Sequence, residues 1–111
     1  MLTFELSQYG AVRLVEIAGR LDESESARLL AIVGEAIAAG ARRIILEMSA
    51  VEHIGEAGLF TLMQALKLAR RNSAALSLAQ PSDAVREALA ASALGQLLRI
   101  YDSRAEALES P

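Results

Sequence analysis

Ile45-Leu46-Glu47-Met48-Ser49-Ala50-Val51-Glu52-His53-Ile54-Gly55-Glu56-Ala57-Gly58-Leu59 passes from a short apolar run, through polar residues, to the start of an amphipathic pattern. Arg43 to Met48 contains Ile44-Ile45-Leu46, a short apolar run that suits a strand covered on both faces. Downstream, Leu59, Leu62, Met63, Leu66 and Ala69 recur at helical spacing, so a helix is expected from near Ala57 to Arg71. Lys67, Arg70 and Arg71 fall in its last turns, where the helix dipole favours cations. Ser49 to Gly58 reads as a loop between the two. Within it, Val51 and Ile54 fold back on the core, and Gly58 admits close backbone approach. Glu56 falls at the edge of a helix start, where free backbone N–H groups favour negative charge.

Upstream, Thr3 to Ser7 alternates Phe4 and Leu6 with polar neighbours, as a half-buried strand does. Tyr9-Gly10 offers a turn into Ala11 to Ala18, which carries Val12, Leu14, Val15 and Ile17, and the closeness of the two strands predicts a hairpin. Gly19-Arg20-Leu21-Asp22 ends the second strand. A helix from about Glu23 to Ala39 follows, with Leu29, Leu30, Val33 and Ile37 on one side. Asp22 or Ser24 caps its first turn and Gly40 terminates it. Towards the C-terminus, Leu76 and Leu78 mark a fourth strand, Pro81-Ser82 opens a third helix with Val85 and Leu89 inward, and Leu97 to Tyr101 is a fifth strand. Ser103 and Glu106 form a capping box for a short final helix. This order predicts an α/β fold: a mixed sheet of about five strands covered by about four helices, with an antiparallel N-terminal hairpin and right-handed parallel crossovers elsewhere. A chain of 111 residues is one domain's worth, 1–111.

Composition removes several function classes. The hydrophobic fraction of 53% is spread along the chain, while aromatic residues make up 4%, so the core is aliphatic. A net charge of −3 argues against a nucleic-acid binder. The absence of cysteine removes disulfides, thiolate zinc sites and thiol nucleophiles. His53 is the only histidine and reads as a partly exposed loop residue, so no metal site is expected. Neither G-x-x-x-x-G-K-[ST] nor G-x-G-x-x-G occurs, and no G-x-S-x-G elbow presents a serine; no cofactor and no catalytic set are expected. A response-regulator receiver would need an acidic pair and a lysine at strand ends, whereas the one lysine, Lys67, lies inside a helix. The Arg42-Arg43 and Arg70-Arg71 pairs read as solvated helix ends and strand edges rather than as a specific anion site. No apolar run is long enough to span a bilayer, and Met1-Leu2-Thr3-Phe4-Glu5 resembles no signal peptide, so a cytoplasmic location is the expectation.

Three segments in order resemble the STAS domain, and especially the bacterial anti-sigma factor antagonists. Gly19-Arg20-Leu21-Asp22 is similar to the family's G-x-L-D-like turn. Glu47 to Leu59 is similar to its D-L-S-x-V-x-F-I-D-S-x-G-L segment. Leu98 to Leu108 is similar to its ending. The resemblance implies a protein-binding module rather than an enzyme. In such proteins a partner kinase, itself the anti-sigma factor, phosphorylates the loop serine, and the added phosphate works as a local electrostatic switch.

The sequence departs from that pattern at the switch. Gly55 stands at the aspartate position and Glu56 at the serine position, so phosphorylation there is not expected. Glu56 either imitates the phosphorylated state or is a plain helix-start residue. The resemblance places partner binding at Asp22, Gly55, Glu56, Ala57, Gly58, Gln64 and Lys67. Asp22, Glu47 and Glu52 flank strand ends feeding one sheet edge, with Glu25 nearby, so a negative field is expected there. The expected partner is another protein, such as an anti-sigma factor or kinase-type regulator, with no nucleic acid and no direct membrane insertion. The alternative is an accessory STAS subunit of a larger assembly, such as a lipid transporter or a signalling scaffold.

Overall fold

The computed structural model describes residues 2–110. Two strands, β1 (Leu2–Tyr9) and β2 (Val12–Leu21), form the hairpin in one unbroken antiparallel register, from Leu2 opposite Gly19 to Tyr9 opposite Val12. Gly10 supplies the positive φ of +62° in the turn. Three parallel strands follow, β3 (Arg43–Ile54), β4 (Ala75–Ala79) and β5 (Arg99–Tyr101), and the sheet runs β1-β2-β3-β4-β5. The helices are α1 (Ser26–Ala38), α2 (Glu56–Arg71), α3 (Asp83–Ala90), α4 (Leu94–Leu97) and α5 (Arg104–Glu109).

The alternation of side chains along β3 divides the core. Ile44, Leu46 and Met48 join Val15, Ile17 and Leu78 in a cluster with Leu29, Val33, Leu62, Leu66, Val85 and Leu89 from the helices. Ile45 points the other way and packs with Leu14, Ala79 and Ala107, the last from α5. The apolar run Ile44 to Leu46 is therefore buried on both sides, and burial continues through Glu47 and Met48. Polar contacts fasten α5 over the second face. The Arg43 guanidinium donates to the carbonyls of Ala107 and, at 3.5 Å, Leu108. Arg104 pairs with Glu16 and lies 3.6 Å from Glu47.

Three local expectations are corrected. The segment after Met48 is not a loop as far as Gly58: β3 continues to Ile54, and β2 runs past Ala18 to Leu21 to meet it. Ala18 pairs with Ala50, Gly19 with Val51, Arg20 with His53 and Leu21 with Ile54, across two register shifts. The polar residues Ser49, Glu52 and His53 turn to solvent while Val51 and Ile54 are buried, so the pattern belongs to an irregular strand with one wet face. Second, α1 begins at Ser26 rather than near Glu23. Asp22 and Ser24 close a turn on themselves, and the residue at the helix cap, Glu25, makes no side-chain cap bond. Third, Leu97 is not in a strand. Leu94 to Leu97 form the helical turn α4, which shortens β5 to Arg99–Tyr101. Ser103 Oγ accepts from Glu106 N at 3.1 Å, the serine half of the expected capping box, and Ser82 Oγ caps α3 by accepting from Val85 N at 3.3 Å.

Candidate functional site

At the C-terminal ends of β2 and β3 the chain turns into α1 and α2, so both helix starts share one end of the sheet. The two turns are tied together. Gly55 N donates to Leu21 O at 3.4 Å, and Ser26 Oγ donates to Asp22 O at 2.8 Å and to Ala57 O at 3.5 Å. Asp22 Oδ1 accepts from Ser24 Oγ at 2.8 Å and from Ser24 N at 3.2 Å. These bonds, led by that of the Ser24 hydroxyl, hold the Asp22 carboxyl below its ordinary value. The sign follows directly. The bonds favour the ionised form, so their contribution is present above the usual carboxylate range and is lost as pH falls through the lowered value.

Gly55 is the residue at the cap of α2. Its backbone is extended (φ −99°, ψ −173°), and with no side chain it leaves the helix start without a side-chain cap. An aspartate could occupy this conformation. Glu56 is the first helical residue and is exposed; its carboxylate stands where the dipole favours it. Ala57 is half-buried, and its carbonyl accepts from Thr61 Oγ1 at 2.9 Å.

Gly58 has a different place. It is buried, and a Cβ there would lie 2.8 Å from both Leu21 O and Ile54 Cγ1. Its role is the close packing of α2 on the ends of β2 and β3. Gly58→Ala is expected to destabilise by about 1–3 kcal/mol, because the neighbouring contact is a backbone carbonyl that cannot swing aside. Urea denaturation reads this directly, and an unchanged midpoint would show that the helix start has room to shift.

Along α2, Lys67 is exposed and Gln64 is half-buried. Between Glu56 and Gln64, one turn from each, lies Phe60, 64% exposed. Sequence reasoning did not single it out. The signal was present: Phe60 lies off the stripe of Leu59, Leu62, Met63, Leu66 and Ala69, in a chain where aromatic residues make up only 4%.

The expected negative field is brought together only in part. Exposed Glu23, Glu52 and Glu56 share this end with Asp22, while Glu25 pairs with Arg28 at 2.7 Å. Glu47 is elsewhere. It sits opposite Glu16 within the sheet, and its Oε1 accepts from Ser49 N at 2.7 Å. Arg20, exposed and opposite His53 in the register of the strand ends, moderates the field. Among the described residues there is no group of three or more His, Cys, Asp or Glu able to hold a metal ion, and no helix is long and apolar enough to cross a membrane.

This mixed sheet and its order of elements match known proteins. Residues 3–107 match the STAS domain family, and the chain belongs to that family. Solved structures agree. A candidate anti-sigma factor antagonist from Thermotoga maritima superposes with a TM-score of 0.87 at 23% identity, covering 96% of this chain and 92% of its own. The anti-sigma factor antagonist SpoIIAA in its unphosphorylated form gives 0.81 at 21% identity, covering 96% and 94%, and the phosphorylated form from Bacillus gives 0.74 at 20%, covering 96% and 97%. A sulfate transporter family protein from Wolinella succinogenes gives 0.80 at 24% identity, covering 92% and 85%. At these identities the likeness shows the fold. Comparison with curated proteins finds no match.

Proposed function

We propose that this chain is a cytoplasmic protein-docking module of the anti-sigma factor antagonist type, constitutive at the position where relatives carry a switch. The observation that carries the reading is Phe60. A large apolar side chain, left in solvent one turn beyond Glu56, is the kind of anchor around which interfaces concentrate their energy. Glu56 and Gln64 lie one turn to either side of that anchor, Lys67 continues along the helix, and the Asp22 turn, Gly55 and Ala57 sit at the same end of the sheet, where Gly58 packs the helix start on Leu21 and Ile54. The acidic rim calls for a neutral or basic partner surface. The partner is another protein, of the anti-sigma factor or kinase-type class; the printed descriptions of the SpoIIAA structures support that choice. The match to a sulfate transporter family protein favours a second reading, an accessory STAS subunit of a transporter assembly, which would use the same surface.

Glu56→Ser separates a constitutive module from one that imitates a phosphorylated state. The exposed carboxylate stabilises the helix by only about 0.3–1 kcal/mol, so the variant stays folded. Calorimetric titration with the partner is expected to give equal or weaker binding by the serine variant. Tighter binding would show that Glu56 acts as a standing substitute for phosphoserine.

A further inference from the structure

At the opposite end of the parallel strands lies a trough that the docking surface does not use. The strand β5 pairs only with Ser77 to Ala79, so Ala75 and Leu76, at the start of β4, have no strand neighbour on that side. The turn α4 stands off from the last turns of α2, leaving a cavity of about 430 Å³. Leu66, Leu76 and Leu98 line it from the core, and Leu97, 45% exposed, stands on its rim. Arg70 and Arg99 line the same cavity, and Arg70 donates to the Leu97 carbonyl at 3.3 Å. Arg99 also lines an adjoining cavity of about 170 Å³ together with Arg43. Neither cavity is lined by an Asp or Glu, although acidic residues outnumber basic ones in the chain. Among the described residues the ion pairs engage Arg28, Arg86 and Arg104, and none engages Arg43, Arg70, Arg71 or Arg99.

We propose that this trough is a second docking site, for a segment of a partner protein that carries carboxylates beside leucine-like side chains. Charge selects the occupant: Arg70 and Arg99, exposed and engaged in no ion pair among the described residues, pair with carboxylates that arrive from outside. Size selects the rest. A cavity of 430 Å³ at the half-open edge takes a few side chains rather than an extended acyl chain. The trough shares no lining residue with the surface around Phe60.

The test uses the full chain, labelled with ¹⁵N, and acetyl-Glu-Leu-Leu-Glu-amide as the probe. Titration is expected to shift the amides of Arg70, Leu76, Leu97 and Arg99, while acetyl-Lys-Leu-Leu-Lys-amide shifts none of them. The R70E/R99E variant is expected to bind the acidic probe about tenfold or more weakly, the loss that follows from removing charge-assisted bonds. R86E, whose arginine pairs with Asp102 away from the trough, is expected to bind as wild type. If R70E/R99E loses its dispersed spectrum, R99Q is read in its place. Absence of shifts in the trough, equal response to the lysine probe, or shifts spread to Arg28 and Arg86 would overturn the proposal. So would cosedimentation with phosphatidylglycerol vesicles that R70E/R99E abolishes, because it would make the occupant a membrane.

Discussion

Leu62→Ala is expected to lower the stability of the fold by about 2–5 kcal/mol. Leu62 lies in the second turn of α2 with no exposed surface, in the cluster that joins α1 and α2 to Ile44, Leu46 and Met48 of the central strand. Truncation removes the transfer free energy of the lost methyl groups and leaves a void that strand β3, hydrogen-bonded on both sides, cannot close. The urea midpoint reads the loss, since the surface exposed on unfolding, and hence the slope, is nearly unchanged. A loss under about 1 kcal/mol would mean that the helix does not pack as described.

Two residues earlier, about 200° round the same helix, Phe60→Ala is expected to do the reverse. The side chain is 64% exposed, so its removal should move stability by no more than about 0.5 kcal/mol. If Phe60 is the anchor of the docking surface, its loss should weaken binding by about 30-fold or more, corresponding to at least about 2 kcal/mol. Titration of the variant with a partner recovered by affinity capture from the source organism measures this. Stability and binding thus separate on one helix, residue by residue, and Leu62 serves as the control for Phe60.

The architecture was legible where hydrophobic period and length agree. The short Ile44-Ile45-Leu46 run suited a doubly covered strand, and the stripe from Leu59 to Ala69 has helical spacing; both are as the sequence suggested. Legibility failed where pairing with a distant segment overrides local polarity. Ser49 to Ile54 is strand because the end of β2 pairs with it, which no local pattern announces. Leu94 to Leu97 is a helical turn because Gly95 allows an approach to Leu89, whose carbonyl would lie 2.6 Å from a Cβ. For the candidate site, the resemblance pointed to the Asp22 turn and to Gly55 and Glu56, two segments that the fold ties together. Burial could not be read the same way. Gly58 makes the close approach its residue type allows, but Glu47 lies within the sheet beside Arg104, and the exposed Phe60 became visible only once the helix had an inner face. The arginines of the trough were likewise scattered in sequence and met only through the start of β4 and β5.

The central claim is that the partner lies over the Asp22 turn, the junction of β3 with α2 and the outer face of α2. Hydrogen exchange on the complex tests it most directly, because the first amides of a helix lack intrahelical acceptors and exchange readily until a partner covers them. With the partner bound, the account predicts slowed exchange at residues 22–26 and 55–60, with β1 and α5 unchanged. Slowed exchange along β1 or α5, with residues 55–60 exchanging as in the free chain, would contradict it.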